Sequence, residues 1–386
     1  MLRLKIVLVL LVFFVILFFA RVKFSHKNQK SYPPVIKIAW IGPLSGNAKI
    51  LGEDNLISIE MVINSYKKNR EMSHPQIEFK SYDDQYSAQK SKELYNQIRK
   101  DYKPHIVFLS TYEAVLELSD LFANDKVIVI NPIDNDLRLS GLQDNIFLIA
   151  KRTEQLASIV SKAMIADHLQ NASILYFNND SFMPTVASNI RNQFNAKDRV
   201  PGLFPYKMEN FNPEAILPAK VLEKTDGVVL LGYSEMETAI RYIRKSYPDI
   251  RLYSVNTALA LANDPELIPL IEGMRIAHFT RLDGNIEKAD LFLQSFEALK
   301  GRRPYVEWIA FQAFDAATIL VRTIKDIISD PAGSHDRFST ILQNYLKRDI
   351  IHSGVSGDIT INIDGTSDGI YMGSYTISNG NPVRNQ

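Results

Sequence analysis

No cysteine occurs among the 386 residues. That absence excludes disulfides, thiolate zinc sites, a cysteine nucleophile and the lipid-accepting cysteine of a bacterial lipoprotein signal, while leaving an oxidising compartment open. Net charge is almost as scarce: 44 Lys and Arg against 43 Asp and Glu leave +1 at pH 7. A chain so balanced lacks the basic excess that nucleic-acid binders use to neutralise phosphate, and no nucleic-acid partner is expected. The histidines (His26, His74, His105, His168, His278, His335 and His352) form no His-x-His or His-x-x-x-His pair, so no zinc site is written in local spacing. A Gly-Lys-Ser/Thr phosphate loop is missing. Gly354-Val355-Ser356-Gly357 lacks the spacing of a nucleophile elbow. Neither a solenoid repeat nor a low-complexity tract interrupts the chain. The expectation is a protein without cofactor, metal or catalytic residues, and not an enzyme.

Long apolar runs are confined to one place. Ile6 to Ala20 (IVLVLLVFFVILFFA) follows Arg3 and Lys5 and is closed by Arg21, Val22 and Lys23. This is the pattern of an export signal, at the upper end of a signal-peptide core and short of the roughly 20 residues of a comfortable membrane helix. Cleavage after Ala20 places Phe18 where a small residue is preferred, so a cleaved signal and a retained inner-membrane anchor both stand. Residues 1–33 are assigned to this signal or anchor and its polar linker.

From Pro34 onward strand and helix signals alternate. Apolar strands are predicted at Ile36–Ile41, Ile77–Tyr82, His105–Leu109, Val127–Ile130, Ile146–Leu148, Ala172–Tyr176, Gly227–Leu231, Leu252–Ser254 and Arg275–His278. Amphipathic helices fill the gaps, from Asp54–Lys67 to the long Tyr305–Ile328. That alternation predicts βαβ units and an α/β fold. Its opening is the most specific stretch: a strand, then Gly42-Pro43-Leu44-Ser45-Gly46, then Gly52 and a helix. Ligands of open α/β sheets lie beyond the carboxyl ends of the strands, where such loops meet helix N-termini.

The opening resembles that of the type I periplasmic binding proteins, in particular the leucine/isoleucine/valine-binding branch that feeds ABC importers. Tyr82-Asp83-Asp84-Gln85 resembles the family's second strand-to-helix unit, and Gly232-Tyr233-Ser234-Glu235 its second-lobe loop. The turn His352 to Asp358, the strand Ile359–Ile363 and Asp364-Gly365 resemble its closing hairpin. The resemblance implies two doubly wound parallel-sheet lobes joined by three crossovers. Residues 34–151 and 281–351 form the first lobe, 152–280 and 352–386 the second, with the hinge near Lys151, Thr280 and His352. It also implies a periplasmic protein that holds a small polar or amino-acid-like ligand in the cleft and delivers it to a permease.

The loops that grip amino acids in that family read differently in this chain. The first-lobe loops are Ser110-Thr111-Tyr112-Glu113 and Asn131 to Asp136, with Tyr112 at a serine position, Asp134 at an alanine position and Asn135 at the threonine position. In the second lobe Phe182 stands near a covering aromatic, and Thr257 near an ammonium-binding acid. Leu51, Tyr112, Glu113, Asp134, Asn135, Phe182, Tyr233 and Thr257 are therefore the expected ligand residues. Each also has a plainer explanation: Tyr112 as a cap on the sheet, Asp134 as a turn residue, Phe182 as core. A carboxylate at position 134 favours a neutral or cationic ligand and disfavours branched-chain amino acids. The altered grip also admits a second function, an envelope sensor or scaffold that binds a protein partner and whose cleft is degenerate.

Overall fold

The computed structural model describes residues 32–46, 48–179, 181–195, 200–279, 284–330 and 337–385. The predicted signal or anchor at Ile6–Ala20 lies outside them, as does Thr280. Among the described residues no helix is long and apolar enough to cross a membrane.

The first sheet contains β1 (Val35–Gly42), β2 (Gln76–Asp83), β3 (Ile106–Leu109), β4 (Ile128–Asn131) and β5 (Ile146–Leu148), in the order β2-β1-β3-β4-β5 and parallel throughout. β3 and β4 are buried at every residue, as a parallel strand covered on both faces must be. Alternate side chains serve the two faces. Ile106 and Phe108 enter one core with Ile59 and Ile63 of α1 (Lys49–Lys68), whereas Val107 and Leu109 enter the opposite one with Tyr95 of α2 (Ala88–Asp101) and Val115 of α3 (Tyr112–Asp125).

After β5 the chain crosses to the second sheet. α4 (Thr153–Ala166) precedes β6 (Ala172–Phe177), α5 (Phe182–Asn195), β7 (Gly202–Tyr206), β8 (Gly227–Leu231), α6 (Met236–Ser246), β9 (Arg251–Val255) and β10 (Arg275–His278). These strands are parallel, in the order β10-β9-β8-β6-β7. Strand β7 is absent from the sequence-based expectation. Its PGLFPY run carries two prolines, and it sits at the sheet edge, where proline is tolerated.

The chain then returns to the first sheet with α7 (Ile286–Lys300), α8 (Glu307–Ser329) and α9 (Phe338–Leu346). Ala313, Ala316 and Ala317 let α8 lie close on α1 in the first core. The small sheet of β11 (His352–Ser353), β12 (Gly357–Ile361) and β13 (Ser367–Ile370) follows. β14 (Gly373–Ser378) and β15 (Asn381–Arg384) then add an antiparallel hairpin beside β10.

The chain beyond His352 stays beside the first sheet for several residues. Ile359, Ile361 and Ile370 pack in the first core with Phe147 and Ile149, and the chain joins the second sheet only at Gly373. Residues 352–370 thus contribute side chains to the first core. Asp315 of α8 fixes their start, accepting from Val355 N (2.7 Å), Ser356 N (2.7 Å) and Ser356 Oγ.

Candidate functional site in the cleft

The carboxyl ends of the first-sheet strands are braced by side chains of the sheet itself. Asp83 accepts from Leu44 N at 2.8 Å, Ser45 Oγ at 2.6 Å and Gln85 N at 3.0 Å. Burial alone would raise its pKa, but these hydrogen bonds hold it below the ordinary carboxylate value. Gly52 completes the loop: a Cβ there would lie 1.7 Å from Pro43 O, so only glycine lets α1 start against it.

Asp84, fully buried, accepts from Ser91 Oγ and Thr111 Oγ1, both at 2.6 Å, and from Tyr86 N at 2.9 Å. Ser110 Oγ donates to Asn55 Oδ1 at 3.2 Å, where Trp40 Nε1 also donates at 2.8 Å. The hydroxyls of Ser110 and Thr111 are therefore turned into the lobe.

Two of the predicted ligand residues are committed in the same way. Tyr112, 4% exposed, donates to Asp136 Oδ2 at 2.7 Å, and the Arg138 guanidinium lies 5.1 Å from its ring centre. Asn135, fully buried, donates through Nδ2 to Ala150 O (3.0 Å) and Ser367 O (2.9 Å), tying the first crossover to β13. The Tyr112 hydroxyl and the Asn135 Nδ2 are thus engaged within the protein, whereas Asn135 Oδ1 is buried without a partner.

The other candidates lie at the starts of helices or in loops of the two lobes. Leu51 is partly exposed in the first turn of α1, and Glu113 in the first turn of α3. In the second lobe Phe182 begins α5 and packs against its core, while Tyr233 is 41% exposed with its ring edge-on to Phe177 at 5.7 Å. Thr257 has a buried Oγ1 without a hydrogen-bond partner. Across the gap Arg138 Nη2 of the first lobe donates to Ser181 O of the second at 2.7 Å, so the lobes touch beside these loops.

Asp134 belongs to a cluster that the sequence reading did not assemble. Its carboxylate is partly exposed and receives one long side-chain bond, from Asn131 Nδ2 at 3.5 Å. Burial raises its pKa to about 7, against the opposing pull of the Lys151 charge, while Asp136 and Glu113 push it further up.

Lys151 lies in the first crossover and is 5% exposed. Its backbone N donates to Gln312 Oε1 at 2.8 Å, and Gln312 Nε2 donates to Trp308 O at 3.1 Å, which fixes the crossover to the first turns of α8. Its Nζ stands 3.2 Å from the Trp308 ring centre, a cation–π contact. Burial pushes the Lys151 pKa down to about 7, opposed by Asp134. From the second lobe His278, at the end of β10, leaves Nδ1 buried without a partner, and its pKa falls to about 4, first through burial and then through the Lys151 charge.

From the sequence Lys151 is expected only as a hinge position, and His278 and Trp308 only as members of their elements. The available signal was a lysine directly after the apolar strand end IFLIA, where a buried charge needs a reason.

A cavity of about 330 Å³ lies on the other side of this crossover, lined by Arg152, Gln155, Ser367, Asp368, Ile370 and Tyr371 among others. The Arg152–Asp368 ion pair at 3.1 Å spans it. Among the described residues no group of three acidic or histidine side chains could hold a metal ion.

The family model described as periplasmic binding protein matches residues 35–344. Among solved structures, a leucine-binding protein LivK from Thermotoga maritima is 16% identical with a TM-score of 0.74, over 91% of this chain and 98% of that one. A solute-binding protein of an ABC transporter from R. palustris, in complex with benzoate, is 17% identical with a TM-score of 0.72, over 91% and 95%. LivJ from Streptococcus pneumoniae, in complex with isoleucine, is 15% identical with a TM-score of 0.70, over 90% and 97%. Among curated proteins none matches.

Proposed function

Because the chain belongs to the periplasmic binding protein family, we propose that it captures a small polar or amino-acid-like solute between its lobes and delivers it to an ABC importer. In this reading residues 34–151 and 281–370 form one lobe and 152–280 and 371–386 the other, with ligand contacts that include Leu51, Glu113, Asp134, Phe182, Tyr233 and Thr257. The protein acts outside the cytoplasm, free or held to the inner membrane by residues 1–33, and binds without chemistry. One observation carries the proposal: the Lys151 charge at the first crossover acts on Asp134 of one lobe and on His278 of the other, where lobe closure would enclose a ligand.

A second reading is favoured by a specific observation. The hydroxyls of Ser110, Thr111 and Tyr112 and the Nδ2 of Asn135 are all occupied internally, which suits a sensor or scaffold that has lost the family's ligand grip. Mass spectrometry of small molecules released on denaturing the purified protein separates the two. A stoichiometric solute supports capture; empty protein, together with no thermal shift across a library of solutes, supports the scaffold. A ligand at about a hundred times its dissociation constant adds about 2.7 kcal/mol of stability, a shift of several degrees.

A further inference from the structure

We propose that the ligand carries a carboxylate, that this carboxylate is received by Lys151 at the hinge rather than by the first-lobe hydroxyl loops, and that its binding draws one proton from solvent onto Asp134. The inference rests on the solute-capture reading and adds the ligand's charged group, its place and its proton stoichiometry.

Three observations support it. The loops that would otherwise receive a carboxylate have no free donor hydroxyl: Ser110 is bound to Asn55, Thr111 to Asp84 and Tyr112 to Asp136. Lys151 is the opposite case. It is 5% exposed, and among the described residues its Nζ meets the Trp308 face and no hydrogen-bond acceptor. An ammonium on a side chain only 5% exposed, meeting an aromatic face and no protein acceptor, is short of hydrogen bonds, and an anion in the cleft supplies what it lacks. Finally, the half-exposed Trp308 beside the Nζ gives an apolar surface for the body of the ligand, with the N-terminus of the 23-residue α8 at the same place.

The charged neighbours decide the proton. Asp134 acts on the lysine from the first lobe, with Asp136 and Glu113 acting in turn on Asp134, and His278 feels the lysine charge from the second lobe. Arg152 is engaged elsewhere, with Asp368 and Glu154. Asp136 is held by Tyr112 OH and by the backbone N of Arg138, and His278 is kept neutral by burial. Asp134 is thus the group that competes with an incoming carboxylate for Lys151. Protonating it removes the competitor and leaves one positive charge for the ligand. The balance is simple: one carboxylate enters, one proton enters from water, and no covalent bond other than the Asp134 O–H is made.

The test uses the full-length protein and two matched pairs, benzoate with benzamide and leucine with leucinamide, followed by tryptophan fluorescence and by calorimetry in buffers of different ionisation enthalpy. At least one carboxylate should bind, its amide at least about tenfold more weakly, and its affinity should fall by up to about tenfold per pH unit above neutrality, with uptake of about one proton. Lys151→Met should abolish the preference for the acid. Asp134→Asn should bind the acid more tightly than wild type near pH 8 and lose the proton uptake, a gain that misfolding cannot imitate. Silence of both acids at about 10 mM, an amide binding as tightly as its acid, or an acid whose affinity survives Lys151→Met would each overturn the proposal. If only neutral or cationic compounds bind, the carboxylate inference falls while solute capture stands. If none binds and the denatured protein releases no solute, both fall.

Discussion

Two clusters of polar groups lie at the same end of the molecule and are built on opposite terms. Around the first three strand ends Asp83, Asp84, Ser110, Thr111 and Tyr112 close on one another and on backbone N–H groups. Around the first crossover Asp134, Lys151 and His278 carry charge or lone pairs that the protein leaves incompletely answered. A buried polar group that is fully hydrogen-bonded stabilises a unique structure, whereas one left short costs free energy unless a ligand completes it. Sequence motif alone does not separate these cases. Both clusters sit in loops that the family resemblance marks as ligand loops, yet one holds the lobe together and the other faces its neighbour lobe.

The comparison breaks if the braced cluster is not structural, so the largest effect belongs there. Replacing Asp84 by Ala strands the buried hydroxyl of Thr111, leaves Ser91 Oγ only the Ser87 carbonyl at 3.1 Å, and removes the acceptor of Tyr86 N. Loss of hydrogen bonds to a buried carboxylate should cost about 3 kcal/mol, measured as a lowered midpoint in urea with an unchanged slope. A loss below about 1 kcal/mol would mean that these groups find water, and that the loop is open to ligand after all.

The crossover clasp sharpens it further. Asn135→Ala removes the donors to Ala150 O and Ser367 O, but it also removes the buried Oδ1 that has no partner. These terms oppose, and the expected cost is about 1–2 kcal/mol. A ligand contact would behave otherwise, with stability unchanged and affinity lost.

What the sequence disclosed follows the same division. Strands β3, β4 and β8 were legible because uninterrupted apolar runs between turn residues have few other solutions. Gly42 to Gly46 and Gly52 were legible because their steric requirement is local. The fate of Asn135 was not, because its partner Ser367 lies 232 residues away. Nothing in Ser110-Thr111 says which way a hydroxyl points. The packing of isoleucines 359, 361 and 370 in the first core was not legible for a related reason: their strand pattern suits either lobe. Lys151 was visible but unread, since its neighbours Asp134, Trp308 and His278 come from three other parts of the chain.

The smallest expected effect is the slope of stability with pH, and it isolates Lys151. Burial holds its folded pKa down to about 7, from the ordinary 10.5. Between those values the unfolded chain binds more protons than the folded one, so stability should rise with pH through this window and fall as pH drops back toward 7. Its upper bound is about 1.4 kcal/mol per pH unit. The raised pKa of Asp134 acts on the other side, between about 4 and 7, where stability falls as pH rises; the depressed His278 works against it there, so the acid limb is mixed. The alkaline limb from about pH 7.5 to 9.5 is the cleaner one, because the raised tyrosines Tyr95, Tyr112 and Tyr253 do not begin to titrate in the unfolded chain until near 10. Urea midpoints at several pH values should therefore rise across that limb for the wild type and stay flat for Lys151→Met with Asp134→Asn, a double change that also removes the uncompensated pair and should leave stability equal or higher near neutrality. Parallel curves for the two proteins would show that Lys151 keeps an ordinary pKa and reaches water, and the difference between the braced loops and the waiting hinge would then lose its electrostatic half.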